Sequence, residues 1–392
     1  MKQRLHSLLL RTIKFPVYLF LLAFLNYHRH LTKHIDGPFI VMSNHNTDLD
    51  PLFVSAAFRQ HMYAVASEHI FRRGFATWLL RVFLAPIARP KGATATSTVI
   101  EMLRRLREGN NILLFAEGNK SYNGLTTPIL PSTGKLVKKA RCTLVTFRLT
   151  GGYFTSPRWG IKKFRRGRMD GSVVNVYSPE KIAEMSADEV NAAIASDIFE
   201  DAYAQQERNP TRFRSNRRAE GIETALFLCP SCRRLGTLKS RGNYFSCPCG
   251  LNGEYDEFGF LSGNFPFKTI RDWDLWELDE LRKNVCAGDE SVYFSEPDLR
   301  LCAVTAGVGS RVIDSGTLSV SGTTLRCGNT PIPISSIEDI SIHGSSALIM
   351  TVSGMGYLEI PSDRVKYRGR IFALIVEEVK RQLASQGKNQ NA

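Results

Sequence analysis

From residue 37 to about residue 200 the sequence alternates short apolar runs with helical stretches. Apolar runs of this kind bury both their faces only in a sheet that carries helices on each side. The pattern predicts strands over Phe39–Ser43, Met62–Ala66, Phe83–Ala88, Asn111–Ala116, Thr143–Leu149 and Ser172–Tyr177. It also predicts a helix over Ser97–Arg107, stopped by Gly109. The expected fold class is α/β, a mixed sheet flanked by helices.

At 392 residues the chain is too long for one ordinary domain. Its 43% hydrophobic and 22% charged residues exclude a mostly disordered chain. No apolar run reaches the roughly 18 residues of a membrane-spanning helix, which excludes a polytopic membrane protein. The expected organisation is a membrane-interfacial helical segment over 1–36 and the α/β domain over 37–205. A basic linker over 206–225 follows, carrying Arg208, Arg212, Arg214, Arg217 and Arg218. Then come a cysteine-bearing unit over 226–262 and a helical connector over 263–289 with Trp273 and Trp276. The last part, 290–386, is rich in short β runs at Val312–Ser321, Thr323–Cys327, Glu338–His343, Ala347–Val352 and Tyr357–Ile360. A helix over Tyr367–Leu383 closes it. In element order this last part resembles a pleckstrin-homology-like domain.

The net charge of +14 calls for an anionic partner: nucleic acid, an acidic membrane surface or a phosphate-bearing substrate. The N-terminus narrows the choice. Before Asp36 it carries Lys2, Arg4, Arg11, Lys14, Arg29 and Lys33 and no acid, around an apolar run from Phe15 to Leu25. That run is about half the length needed to span a bilayer. No small-residue cleavage site follows it, which disfavours a signal peptide. A helix lying in the headgroup layer of an anionic membrane, on its cytoplasmic face, fits best; a buried core helix is the alternative.

The stretch Asn44-His45-Asn46-Thr47-Asp48-Leu49-Asp50-Pro51 follows one predicted strand and precedes a helix. His45 thus falls at a strand's C-terminal end, where α/β proteins place ligands. Asp50 falls at an expected helix N-cap, with Pro51 first in the helix. Its carboxylate can fix the tautomer of the imidazole and leave the other nitrogen as a general base. The alternative is a helix cap beside an uninvolved loop histidine. A second strand leads into Glu117-Gly118-Asn119-Lys120-Ser121, a glycine-containing loop whose amides and lysine suit a phosphate. A third strand delivers Arg89.

Taken together, these residues resemble the glycerolipid acyltransferases of the lysophosphatidate acyltransferase type, over about residues 1–205. Asn44, His45 and Asp50 match the family's N-H-x4-D motif, Arg89 its second motif, and Phe115-Ala116-Glu117-Gly118-Asn119-Lys120-Ser121 its F-P-E-G-T-R-S motif. The resemblance implies transfer of a fatty acyl group from acyl-CoA or acyl carrier protein to a lysophospholipid hydroxyl. It makes His45 the base, Asp50 its orienter, and Arg89 with Glu117, Gly118, Asn119, Lys120 and Ser121 the phosphate site. The departures are Ala116 for proline, Asn119-Lys120 for Thr-Arg, and Thr146 where the fourth motif has proline. A lysine keeps the charge but not the bidentate fork of arginine. No catalytic cofactor is expected, because a thioester needs no metal to activate it. The basic run Lys162, Lys163, Arg165, Arg166 and Arg168 is either a docking point for an acidic carrier or a solvated patch.

Of the eight cysteines, Cys229, Cys232, Cys247 and Cys249 form C-x2-C, fourteen residues, C-x-C, and the others stand singly. Four thiolates on two knuckles predict a closed, structural zinc site in a zinc ribbon. The pattern is that of a cytosolic protein and not of a disulfide scaffold. A ribbon beside arginines also suits nucleic acid. However, Tyr244 and Phe245 are the only aromatics between the knuckles, so stacking capacity is thin and a nucleic-acid partner is not expected. An inactive, lipid-binding relative of the acyltransferases is the other alternative.

Overall fold

The computed structural model describes residues 15–67, 86–89, 96–161, 164–305, 309–362 and 367–389. Among them, the residues up to Arg158, those from 164 to Ser215, and Glu257–Gly259 form one compact unit. Trp159–Ile161, Asn216–Asp256 and the residues from Phe260 onward form a second.

The first unit is built on a mixed sheet. Its strands are β1 (Tyr27–Arg29), β2 (Phe39–Ser43), β3 (Met62–Ser67), β4 (Ile87–Arg89), β5 (Asn111–Phe115), β6 (Thr143–Thr150) and β7 (Met169–Tyr177), in the order β1-β7-β6-β2-β5-β3-β4. Every pairing is parallel except β6 with β7. Alternation along β2 serves two cores at once. Phe39 and Val41 pack with Leu21, Phe53 and Phe147 on one face; Ile40 and Met42 pack with Ile112, Leu144 and Ile194 on the other. A strand buried on both faces must be apolar throughout, as this one is. The covering helices include α1 (15–25), α2 (Asp50–Ala57), α3 (Thr96–Arg107), α4 (Ser132–Ala140), α5 (Gly152–Thr155), α6 (Pro179–Glu184), α7 (Ala187–Ile198) and α8 (Ala202–Arg208). A capping box at Ser186 and Glu189 starts α7.

The structure departs from the sequence reading at one place in this part of the chain. The segment over 1–36 is not wholly a separate interfacial piece: Tyr27–Arg29 joins the sheet beside Met169–Gly171. Tyr27 is fully buried, with its hydroxyl donating to the Phe53 carbonyl at 2.8 Å, which commits the chain to the core there. Of the strand expected over Phe83–Ala88, Ile87–Arg89 is seen; residues 83–85 lie outside the described residues, as do Lys2, Arg4, Arg11 and Lys14. The boundary between the two units, Ser215 to Asn216, falls inside the basic linker expected over 206–225, though its residues are not all exposed. Phe213 is buried and its amide donates to the Glu257 carbonyl at 2.7 Å. Arg218 is buried too, donating to the Tyr255 carbonyl and to Glu254.

The second unit holds a four-stranded antiparallel sheet, β8 (Lys239–Arg241), β9 (Tyr244–Ser246), β10 (Asn252–Tyr255) and β11 (Leu261–Gly263). A helix follows, α9 (Ile270–Asn284), and then a seven-stranded antiparallel sheet. Its strands are β12 (Phe294–Thr305), β13 (Gly309–Val320), β14 (Thr324–Cys327), β15 (Thr330–Pro333), β16 (Ile337–His343), β17 (Ala347–Val352) and β18 (Gly356–Ile360), in the order β15-β14-β13-β12-β18-β17-β16. A meander of four strands and a meander of three are thus joined where β12 meets β18. Helix α10 (Gly369–Asn389) closes the chain, with Ile371, Ile375 and Val379 buried. Far from being a mere connector, α9 is part of the core. Trp273 is fully buried and its indole donates to the Leu228 carbonyl at 3.0 Å. Arg370 of α10 donates to Asp274 and to the Ala225 carbonyl, while Glu277 accepts from the amides of Phe227 and Leu228. This buried set ties both helices to the chain just ahead of Cys229.

Candidate active site

His45 and Glu117 occupy equivalent places. Ser43 pairs with Phe115 as the last rung between β2 and β5, and each residue lies two positions beyond it. The two loops are therefore side by side at the C-terminal end of parallel strands. Asn44 fixes the first of them. Its amide donates to the Leu149 carbonyl and accepts from the Leu149 amide, both at 2.8 Å, extending the β2–β6 ladder by one side-chain rung.

The imidazole of His45 lies against the ring of Phe115, with centroids 4.5 Å apart. Its Nδ1 donates to Asp50 Oδ2 at 2.8 Å, and its side chain remains 23% exposed, whereas that of Asp50 is wholly buried. Asp50 also accepts from the amides of Asn46 and Thr47 and from the Thr47 hydroxyl. The expected N-cap is thus corrected: Asp50 is the first residue of α2, Leu49 precedes it without a side-chain cap, and the carboxylate instead holds the preceding turn. Since Nδ1 carries the proton that it donates to Asp50, the lone pair of the neutral ring is on Nε2.

The loop from Glu117 to Ser121 splits into inward and outward residues. Glu117 is buried, its carboxyl accepting from the His45 amide at 2.6 Å and from the Thr127 amide and hydroxyl. These donors hold the carboxylate inside the loop, so it braces His45 and does not face outward. Ser121 is also buried, its hydroxyl accepting from the Gly124 amide. Gly118, with φ of 73°, and Asn119 are exposed. Lys120 reaches Asp48 Oδ1 at 2.7 Å, a bridge between the two loops. Arg89 ends β4 opposite Ser67, on the same edge of the sheet; three strand spacings, about 14 Å, separate β4 from β2.

Two further residues were not foreseen from sequence. Arg158 donates to the Lys120 carbonyl at 3.0 Å and lies over the Tyr122 ring, 4.4 Å from its centroid. Glu200 sits beneath the His45 loop, accepting from Asn46, Asn44 and the Gly151 amide. Neither belongs to a local motif, so only the folded chain brings them in. Thr146 is buried at a bulge between β6 and β7, donating to Asp197. Of the basic run, Arg165 is buried and Arg168 pairs with Asp170, while Lys162 and Lys163 lie outside the described residues.

Burial pushes the Glu117 carboxyl up to about 8, against the pull of its hydrogen bonds from Thr127 and His45. A carboxyl raised in the fold binds more protons there than in the unfolded chain between its ordinary 4.5 and about 8. Its contribution to stability is therefore present at low pH and is lost as pH rises through that window. The thermal midpoint of the protein is expected to fall across this range, and Glu117→Gln is expected to make the fall shallower. An unchanged slope in the variant would contradict this assignment.

In the second unit the four cysteines converge. The sulfurs of Cys229, Cys232, Cys247 and Cys249 all lie within 4.8 Å of one another, with Cys229–Cys249 and Cys232–Cys247 at 3.7 Å. A tetrahedral zinc with bonds of about 2.3 Å spaces its sulfurs by about 3.8 Å, so the set fits that ion. Two tight turns present them: the Arg233 amide donates to the Cys229 carbonyl, and the Gly250 amide to the Cys247 carbonyl.

Residues 25–150 match the family model described as Acyltransferase. This segment is well under half of the chain, and it holds His45, Asp50, Arg89 and the Glu117–Ser121 loop. The coarse class it supports is an acyltransferase domain. Among solved structures, the chain is similar to the 1-acyl-sn-glycerophosphate (LPA) acyltransferase PlsC from Thermotoga maritima. The identity is 17% and the TM-score 0.44, over 55% of this chain and 85% of that one. No curated protein matches the chain.

Proposed function

We propose that the chain is an O-acyltransferase that moves a fatty acyl group from acyl-CoA or acyl carrier protein to the hydroxyl of a lysophospholipid, lysophosphatidate first among them. The observation that carries this reading is the 2.8 Å bond from His45 Nδ1 to Asp50, with the imidazole still partly exposed at the strand end. Nε2 takes the proton as the acceptor oxygen attacks the thioester carbonyl. The C–S bond then breaks, and the thiolate leaves with the proton that the imidazolium returns. Asp50 stabilises the imidazolium between these steps. The leaving thiolate needs little help, so no nucleophilic residue and no catalytic cofactor enter the scheme.

Lys120, Gly118, Asn119 and Arg89 are the candidates for the acceptor's phosphate, with Arg158 adding a guanidinium beside Lys120. Glu117 and Ser121 shape the loop from within. Lys120→Ala is expected to raise KM for a phosphate-bearing acceptor about tenfold, the loss of one charged hydrogen bond. KM for the acyl donor should hold. An equal rise for both substrates in steady-state kinetics would contradict the assignment.

The membrane reading rests on α1. Leu21 and Leu25 are buried in the core, while Phe15, Leu19, Phe20 and Phe24 are 45–65% exposed. Among the described residues no helix is long and apolar enough to cross a membrane. An exposed apolar helix face flanked by basic chain suits the headgroup layer of an anionic cytoplasmic surface. Phe20→Ser with Phe24→Ser is expected to weaken binding to anionic vesicles by about a hundredfold or more, from the apolar area no longer buried. The fold should be unaffected, since both rings face outward. Vesicle flotation with wild-type affinity in the double variant would contradict this.

The cysteine set is read as a structural zinc site, since four thiolates leave no position open. The paired meanders and closing helix of the last part support a pleckstrin-homology-like reading of that sheet.

A further inference from the structure

Beneath the loop that carries His45 lies a carboxylate that the transfer scheme does not use. Glu200, between α7 and α8, is 4% exposed. Its Oε2 accepts from Asn46 Nδ2 at 2.8 Å and from Asn44 Nδ2 at 3.2 Å, and its Oε1 from the Gly151 amide at 3.0 Å. Its backbone is pinned as well, the amide donating to Thr126 Oγ1 and the carbonyl accepting from the Thr126 amide. Both asparagines that flank His45 in the chain are thus held by one oxygen. Asn46 in turn gives its amide proton to Asp50 Oδ2, the same oxygen that receives His45 Nδ1. A continuous path runs from Glu200 through Asn46 and Asp50 to His45.

All three groups around Glu200 are N–H donors, the complement of an ionised carboxylate, which can only accept. A protonated Glu200 would carry an O–H in need of an acceptor. Asn44 does not offer one: it turns its nitrogen to Glu200 and is kept that way round by Leu149, whose amide donates to its oxygen and whose carbonyl accepts from its nitrogen. Asn46 can, by turning its amide over, and its present hold on Glu200 is then lost.

We propose that Glu200 is a positioning residue of the acyl-transfer site, whose carboxylate form holds Asn46 and through it the Asp50–His45 pair, and whose protonation loosens that hold. The effect on turnover rests on the acyl-transfer reading; the linkage between Glu200 and His45 does not. Asp50 on α2 and Glu117 on the loop after β5 oppose the charge on Glu200, and Arg148 on β6 favours it. Burial is the largest influence and pushes Glu200 up to about 7, which puts the switch near neutral pH.

The test is a pH titration of ring-labelled histidines by NMR, in the wild type, in Glu200→Gln and in Glu117→Gln, with His45→Ala to assign the His45 signal and kcat measured on the same samples. In the wild type the His45 signal is expected to carry a step that follows Glu200, beside any that follows Glu117, whose carboxyl accepts from the His45 amide. In Glu200→Gln that step should be gone while the rest of the curve remains. The variant's kcat should fall by about tenfold to a hundredfold, the cost of a displaced base, with both KM values held. The acid limb of its kcat profile should drop from a two-proton to a one-proton slope. A His45 curve unchanged in Glu200→Gln, or one whose extra step is removed instead by Glu117→Gln, overturns the proposal. A step lost in Glu200→Gln from a protein that transfers no acyl group would support the linkage and count against the acyl-transfer reading.

Discussion

Replacing His45 by alanine is expected to lower kcat for acyl transfer by about 10² to 10⁴, the usual contribution of a positioned general base. The fold should survive. Asp50 keeps three other donors, the amides of Asn46 and Thr47 and the Thr47 hydroxyl, so its buried charge is not left unmatched. Asp50→Asn is a harsher change. It places an amide NH2 against those same donors and removes the acceptor that fixes the His45 tautomer. Activity and thermal stability should both fall in that variant, whereas in His45→Ala only activity should. Turnover near that of the wild type in His45→Ala would contradict the role given to the imidazole.

The largest expected change in stability comes from the cysteines. Elemental analysis is expected to find one zinc per chain, and a Cys229→Ser, Cys232→Ser variant to lose it. Structural zinc contributes about 10 kcal/mol or more to small ribbons, comparable to the whole stability of an ordinary domain. Chelation should therefore unfold the ribbon, seen as loss of protection over 226–262 in hydrogen exchange, before it touches turnover on dispersed short-chain substrate. Immediate loss of turnover with the fold intact would place the metal in the chemistry instead.

Strands buried on both faces were the most legible part of the fold. Phe39–Ser43 and Ala347–Val352 fall where the apolar runs place them, and Thr96–Arg107 starts one residue ahead of the expected helix. Tyr27–Arg29 was not legible. It is three residues long, follows a helical run, and owes its conformation to Met169–Gly171, far along the chain. The long strand Phe294–Thr305 was missed for a related reason. It has Pro297 and an irregular register against β13, which interrupt the alternation that marks a strand.

The candidate site was legible where it is local. The five-residue spacing from His45 to Asp50 is a property of one loop, and the two side chains meet. What the carboxylates do there was less so. Asp50 read as a helix cap and as the orienter of His45, and Glu117 as a phosphate-loop residue; that both also accept hydrogen bonds from the backbone of the His45 loop was not foreseen. Glu200 and Arg158 have no signal in sequence at all, since they reach the site only through α7 and the turn after α5. Buried acids under a base are costly to ionise, and that cost is visible only once the burial is known.

The most direct measurement is to incubate the purified full-length protein with radiolabelled acyl-CoA or acyl carrier protein donor and a panel of lysophospholipids, and to separate the lipids. The account predicts a labelled diacyl product, greatest with a phosphate-terminated acceptor and absent with His45→Ala. A folded, zinc-loaded protein that labels no acceptor in the panel, while binding lipid or nucleic acid, would contradict it.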